Sequence, residues 1–473
     1  MRLIFWTSTE PPWSTTMETE SVISGMPPVL TEPEPESVSE TTPNAVESVK
    51  VTGEWSLAKR LGFRFAFSYF GLYIFPFPIG ALPGTEAIGS YYDVIWQVVV
   101  PWISQHFLHI SYPVNFVVTG SGDTTYAWVQ NLVMCVLAIA ATAIWSVLDR
   151  RRTNYDRLNH WLRLYVRLYV GGIMISYGAF KVIQAQFPVP NLSRLVQPYG
   201  ESSPMGLLWT FMGTSYTYNL FTGAAEIVGG ALLIIPPLAT LGALVTIAAM
   251  SNVFILNMAY DVPVKLFSFN LIAMAVFVLL PDTKRLLNVF VLNRPTEART
   301  PYPLFKRARL NKALLWVQLL LLTMFLGFFH FQSWQQQQAY FGGRLPEAML
   351  GIWSVNEYKV DGQLRPLAFN DANRWLRVIF EYSNRVGVQF LDAPINRYPM
   401  ELDERNRTMS LSSRDDPEWK ASLHYEILSP NEMILKGEVD KHPVEMRLQR
   451  RELATFRLLN RGFHWISEAP FNR

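Results

Sequence analysis

The chain has 473 residues, half of them hydrophobic and 14% aromatic, with only 17% charged. That balance favours a membrane protein, while a mean hydropathy of +0.13 is too low for a chain built of spans alone, so soluble parts must accompany them. A formal charge of +3 and the lack of zinc-finger, RNP-type or basic-arm patterns argue against nucleic acid as a partner. The single cysteine, Cys135, rules out an intrachain disulfide and a cysteine-rich metal site.

Residues 1–56 are rich in Ser, Thr, Pro and Glu, with Glu32-Pro33-Glu34-Pro35-Glu36 at the centre. Such a segment buries too little apolar surface to offset its ordering entropy, so a disordered cytoplasmic tail is expected, without a cleavable signal. Seven apolar stretches follow. The first runs from Lys59-Arg60 to Pro76-Phe77-Pro78, and the others cover 126–147, 164–182, 216–235, 238–258, 266–281 and 313–332. Each is close to the ~20 residues a helix needs to cross ~30 Å of hydrocarbon. Pro236-Pro237 forces a tight hairpin between the fourth and fifth, because proline cannot continue a helix. Residues 93–108, with Ile95, Val98, Val99, Trp102 and Ile103 on one helical face, read as an interfacial helix.

Orientation follows from the basic residues. Arg150-Arg151-Arg152 follows the second stretch, and Lys284-Arg285 through Arg309 fills the loop after the sixth. No lysine or arginine lies between Phe65 and Asp149. The positive-inside rule then puts the N-terminus in the cytoplasm and, after seven crossings, the C-terminus outside. From about 342 to 473 the period changes to two, as in Leu376, Val378, Phe380 and Tyr382 or Val444, Met446 and Leu448. The expected fold is therefore a polytopic α-helical membrane bundle of about seven transmembrane helices at 57–335, followed by an extracytoplasmic antiparallel all-β domain at 342–473, either a sandwich or a barrel. Gly351-Ile352-Trp353 resembles the Gly-x-Trp of lipocalin-type barrels.

Charges are expensive in hydrocarbon, so each one in the bundle needs a partner or a purpose. Glu226, in Ala224-Ala225-Glu226-Ile227-Val228-Gly229-Gly230, lies about ten residues inside its helix, roughly 15 Å deep at 1.5 Å per residue. It either accepts a proton or hydrogen bond from a ligand, or makes a packing bond to Asn252, Arg167 or a carbonyl. Gly223, Gly229 and Gly230 read as points of close helix contact. Asp261 and Lys265 are four apart with the acid first, and Asp261 is placed to cap the sixth helix. Tyr177 and Lys181 share one face at the outer end of the third, with Asn257 and His330 at the same level. Tyr177, Lys181, Glu226, Asn257, Asp261 and Lys265 thus form a candidate ligand-binding layer near the outer leaflet. No residue is singled out as catalytic and no metal site is expected. Residues 204–213 read as a short apolar helix across the bundle mouth, and Gly120-Ser121-Gly122-Asp123-Thr124 as a turn with Asp123 or Thr124 as cap.

Over residues 160–290 the chain resembles the DoxX family of bacterial membrane proteins. The likeness rests on Tyr177-Gly178-Ala179-Phe180-Lys181 and on Glu226-Ile227-Val228-Gly229-Gly230-Ala231-Leu232-Leu233. It implies a four-helix core, a bacterial plasma membrane and, because some members are subunits of thiosulfate:quinone oxidoreductases, a quinone-linked role. In that reading Lys181 and Lys265 would hydrogen-bond quinone oxygens, Asp261 would orient Lys265, and Glu226 would relay protons. No metal or haem is expected, so electrons would come from a redox partner on the external side. A second resemblance, to the membrane domain of vitamin K-dependent carboxylase relatives, would make Lys181 a base. The alternative is a non-enzymatic membrane scaffold or lipid- and cargo-handling protein whose β domain binds a partner. A transporter ranks below both, since no inverted repeat is evident.

Overall fold

A computed structural model describes residues 53–472, apart from 82–83, 299–302, 343–344, 368–370, 372 and 392–393. The tail expected at 1–56 lies almost wholly outside the described residues. Among the described residues eleven α-helices precede the sheet in chain order: α1 (Leu57–Ile74), α2 (Glu86–His106), α3 (Thr125–Leu148), α4 (Asp156–Val182), α5 (Leu192–Val196), α6 (Pro204–Thr214), α7 (Tyr216–Ile234), α8 (Ala239–Ala259), α9 (Lys265–Leu279), α10 (Thr283–Phe290) and α11 (Ala308–Gly342). Among the described residues five segments are long and apolar enough to cross a membrane, at 125–148, 216–234, 236–259, 265–290 and 308–339. They mark the chain as an integral membrane protein in contact with lipid.

Helix α4 starts at Asp156, eight residues before the apolar stretch that signalled it, so Arg163 joins Arg167 inside it. Both reach the exposed carbonyls at the ends of neighbouring helices. Arg163 Nη2 donates to the Val278 carbonyl of α9 at 2.7 Å, and Arg167 Nε and Nη2 donate to Leu233 and Ile234 of α7 at 2.7 and 2.9 Å. A cation is favourable there because the last carbonyls of a helix lack intrahelical donors. A buried polar cluster joins three more helices: Tyr69 of α1 lies within hydrogen-bond distance of Asn131 of α3 at 2.7 Å and of Asn270 of α9 at 2.6 Å. Helix α2 is apolar on both sides. Trp96 and Val100 are buried, whereas Ile95, Val98 and Trp102 of the expected face are exposed.

After the helices the chain forms an antiparallel β barrel rather than a sandwich. Strands β1 (Gly351–Val360), β3 (Trp375–Tyr382), β4 (Arg385–Phe390), β5 (Ile395–Asp403), β6 (Thr408–Ser412), β7 (Lys420–Ser429), β8 (Glu432–Val439) and β9 (His442–Arg451) pair in sequence, and β2 (Gln363–Leu364) is a two-residue spur on β1. Pairing of β1 with β9, from Ile352↔Arg451 to Val360↔Val444, closes the eight strands. Alternate residues point inward and fill the interior, among them Trp353, Phe380, Val388, Met433, Met446 and Leu448, each at most 1% exposed. The Trp353 indole donates to the Met349 carbonyl at 2.9 Å and lies 6.0 Å from the Arg450 guanidinium.

The barrel rests on the loop between α4 and α6. Outward-facing Ile352 and Ile379 pack on Leu192 of α5, and Glu381 accepts a hydrogen bond from the Leu192 amide at 3.2 Å. A barrel filled by side chains depends on its largest one. Trp353→Ala is expected to cost about 3–5 kcal/mol of barrel stability. Hydrogen exchange of the full chain should then show lost protection in β1 and β9, with α3, α7 and α8 unchanged.

Candidate functional site

The site grows from one helix crossing. Gly171 and Gly178 of α4 face Gly230 and Gly223 of α7, in opposite order along the two helices. A methyl at Gly178 would come within 2.6 Å of the Gly223 carbonyl oxygen, and one at Gly230 within 2.6 Å of the Gly171 carbonyl. Only residues without Cβ allow backbones this close. The approach brings Lys181, one turn beyond Gly178, onto Glu226, one turn beyond Gly223. Lys181 Nζ donates to Glu226 Oε1, with the two residues 5% and 2% exposed. Glu226 Oε2 is also buried and has no hydrogen-bond partner among the described residues. Arg167, one alternative partner for Glu226, is instead engaged with α7 carbonyls.

Lys181 and Glu226 lie on the wall of a cavity of about 630 Å³, which Tyr177, Gln186, Asn252, Asn257 and Ser268 also line. That volume falls in the usual range for small-molecule sites. Asn257 is held by its donation to Ser268 Oγ at 3.1 Å. Tyr177 is 39% exposed and its ring sits 5.9 Å from that of Phe267. The rest of the wall is apolar, and α6 supplies Met205, Leu208, Trp209 and Met212 as a roof. Two side chains position the roof. Ser203 caps α6 by accepting from the Gly206 amide at 3.1 Å. Asn219 of α7, fully buried, donates to the carbonyls of Phe187 at 3.3 Å and Met212 at 3.0 Å. Asn219 was not singled out from the sequence, although an amide in the first turn of an apolar helix is a signal of the same kind as Glu226.

Asp261 and Lys265 are not among the cavity-lining residues. Asp261 adopts a left-handed backbone (φ 51°), and its side chain is 86% exposed, bonded to Lys265 Nζ at 2.9 Å. The expected capping role belongs to Asp123, whose Oδ2 and Oδ1 accept from the amides of Lys265 at 2.8 Å and Leu266 at 3.0 Å. Thr124 caps α3, which leaves the Asp123 carboxylate to cross to α9. His330 is bonded within its own helix, Nδ1 to the Leu326 carbonyl at 2.8 Å. Among the described residues no three His, Cys, Asp or Glu side chains gather as a metal site. The grouped donors and acceptors, Lys181, Glu226, Tyr177 and Asn257, suit an organic ligand.

No family model matches the chain, and no solved structure does. The uncharacterized protein YwoB of Bacillus subtilis is 32% identical over 136 residues, which are 28% of this chain and 84% of YwoB. Over that stretch the chain and YwoB belong to one family. YwoB is itself uncharacterized, so this kinship brings no substrate or partner with it, and most of the chain lies beyond the match to YwoB.

Removing one partner of a buried ion pair strands the other. Lys181→Met should therefore cost about 3–5 kcal/mol, and Lys181→Met with Glu226→Gln should recover most of that loss in thermal unfolding in mild detergent. Equal melting of the single and double variants would show that the two side chains are not coupled. The caps separate in the same assay. Asp123→Ala should cost about 1–2 kcal/mol as a lost N-cap, and Asp261→Ala less than about 0.5 kcal/mol as an exposed helical pair.

Proposed function

We propose that this is a DoxX-type membrane protein whose bundle binds a lipid-soluble, hydrogen-bonding ligand of the quinone class in the cavity beneath the external surface. In this reading α1 and α4 complete seven crossings, with the N-terminus in the cytoplasm and the barrel outside the plasma membrane of a bacterium. At 18 and 27 residues both helices are long enough, about 27 Å and 40 Å at 1.5 Å per residue. The distribution of lysine and arginine supports the orientation.

The observation that carries the ligand is the orphan oxygen Glu226 Oε2 on the cavity wall. A buried acceptor without a donor is costly, and a bound hydroxyl would satisfy it. Lys181 Nζ, already donating to Oε1, has further protons to offer a ligand carbonyl. The ring of a quinone would lie among Phe187, Trp209 and Phe267, with Asn257 at its rim. A bound quinone supplies two-electron, two-proton carriage within the membrane, and the residues here would hold its oxygens and exchange protons through Glu226. Electrons would come from a protein partner on the external side. The roles first given to Asp261 and Lys265 shift to Lys181 and Glu226, since the former pair is not on the cavity wall. A scaffold or lipid-handling protein is the second reading, favoured by the way Lys181 and Glu226 satisfy one another.

The test is mass spectrometry of small molecules extracted from protein purified in mild detergent. Co-purified quinone is expected from the native chain, with at least roughly tenfold weaker binding in Glu226→Gln, the loss expected for a charged hydrogen bond of ~1.5–3 kcal/mol. Quinone-free protein, or affinity unchanged in Glu226→Gln and Lys181→Met, would favour the scaffold.

A further inference from the structure

A second cavity, of about 1130 Å³, lies at the opposite end of the bundle, lined by residues of α4, α10 and α11 and by 295–298 and 303–304. Its lining includes Arg163 and Arg167 of α4, which sit 14 to 18 residues before Lys181, or roughly 20–27 Å along the helix at 1.5 Å per residue. Lys284 and Arg285 of α10 and Gln318 of α11 add to the polar part, and Leu164, Leu314 and Leu315 supply an apolar part. Four lysines and arginines line the space against two carboxylates, Asp282 and Glu297. Asp282 is engaged by Thr240 at 2.6 Å and by Arg285 Nη1 at 3.0 Å.

We propose that this cavity binds a phosphate anion, carried by the headgroup of an acidic phospholipid or by a soluble phosphate ester. Three features support it. The cavity is net basic and recessed between helices, the form in which membrane proteins hold phosphorylated headgroups. Arg285 Nε is buried without a hydrogen-bond partner, and Lys284, exposed on the lining, makes no ion pair among the described residues, so its ammonium is open to an anion beside the Arg285 guanidinium. Gln318, 3% exposed, has its Oε1 without a partner as well, which suits a hydroxyl beside the phosphate. The leucines on the same wall give an acyl chain or an apolar ester group a place to lie. Nothing in this depends on the cavity beneath α6, and the two sites can fail separately.

Native mass spectrometry and thermal shift of the full chain in mild detergent test the assignment, with dioleoylphosphatidylglycerol, dioleoylphosphatidylcholine and inorganic phosphate as separate probes. Saturable binding of phosphatidylglycerol over phosphatidylcholine is expected. Lys284→Glu, an exposed position with no bond to lose, should weaken it roughly tenfold or more, at about fivefold per unit of charge. Arg285→Gln should weaken it less, and Lys312→Glu, outside the lining, by less than about twofold. Displacement of phosphatidylglycerol by millimolar inorganic phosphate, with the same variant dependence, would support the site and make the soluble ester its source. Equal binding of the two lipids, or equal losses in Lys284→Glu and Lys312→Glu, would overturn the proposal.

Discussion

The helical region turns on a contact between two backbones, not on a side chain. Where Gly178 meets Gly223 and Gly171 meets Gly230, α4 and α7 come closer than any residue bearing a Cβ would allow. That approach decides where Lys181 and Glu226 stand, and these two could not both remain charged in hydrocarbon apart. Their contact in turn sets the inner wall of the cavity, above which α6 is tied down by Asn219. The ion pair is therefore a product of packing rather than its cause. Its desolvation cost is borne by the van der Waals contact along the glycine seam.

Three other charges of the bundle follow a simpler rule. Arg163 and Arg167 serve the carboxyl ends of α9 and α7, and Asp123 serves the amino end of α9. Each charge thus meets the end of a helix dipole of opposite sign. Glu226 departs from that pattern. It lies in the middle of α7, has a single partner for its two oxygens, and belongs to the wall of a cavity.

Much of this was legible in the sequence because it is local or periodic. The apolar stretches, the Pro236-Pro237 turn, the short helix over the bundle mouth and the two-residue alternation of the last 130 or so residues all follow from patterns within a few residues of one another. The glycines of α7 read correctly as close contacts. What escaped depends on residues far apart in the chain. A carboxylate at position 123 capping a helix that begins at 265 cannot be seen from either segment, and the nearer acid, Asp261, offered a plausible but wrong cap. Helix α4 read as starting too late because Asp156, Arg157, Asn159, His160 and Arg163 depress local hydropathy, although Arg163 is tied to the end of a neighbouring helix. Closure of the barrel likewise rests on pairing between its first and last strands, about ninety positions apart, which alternation alone does not specify.

That closure has a bearing on what the barrel can recognise. A sheet joined to itself leaves no row of free amides and carbonyls along its flank, so an incoming peptide cannot be taken up as an additional strand there. Beyond the two-residue spur on β1, whatever engages this module must read side chains and hairpin tips, and chains of it cannot polymerise edge to edge.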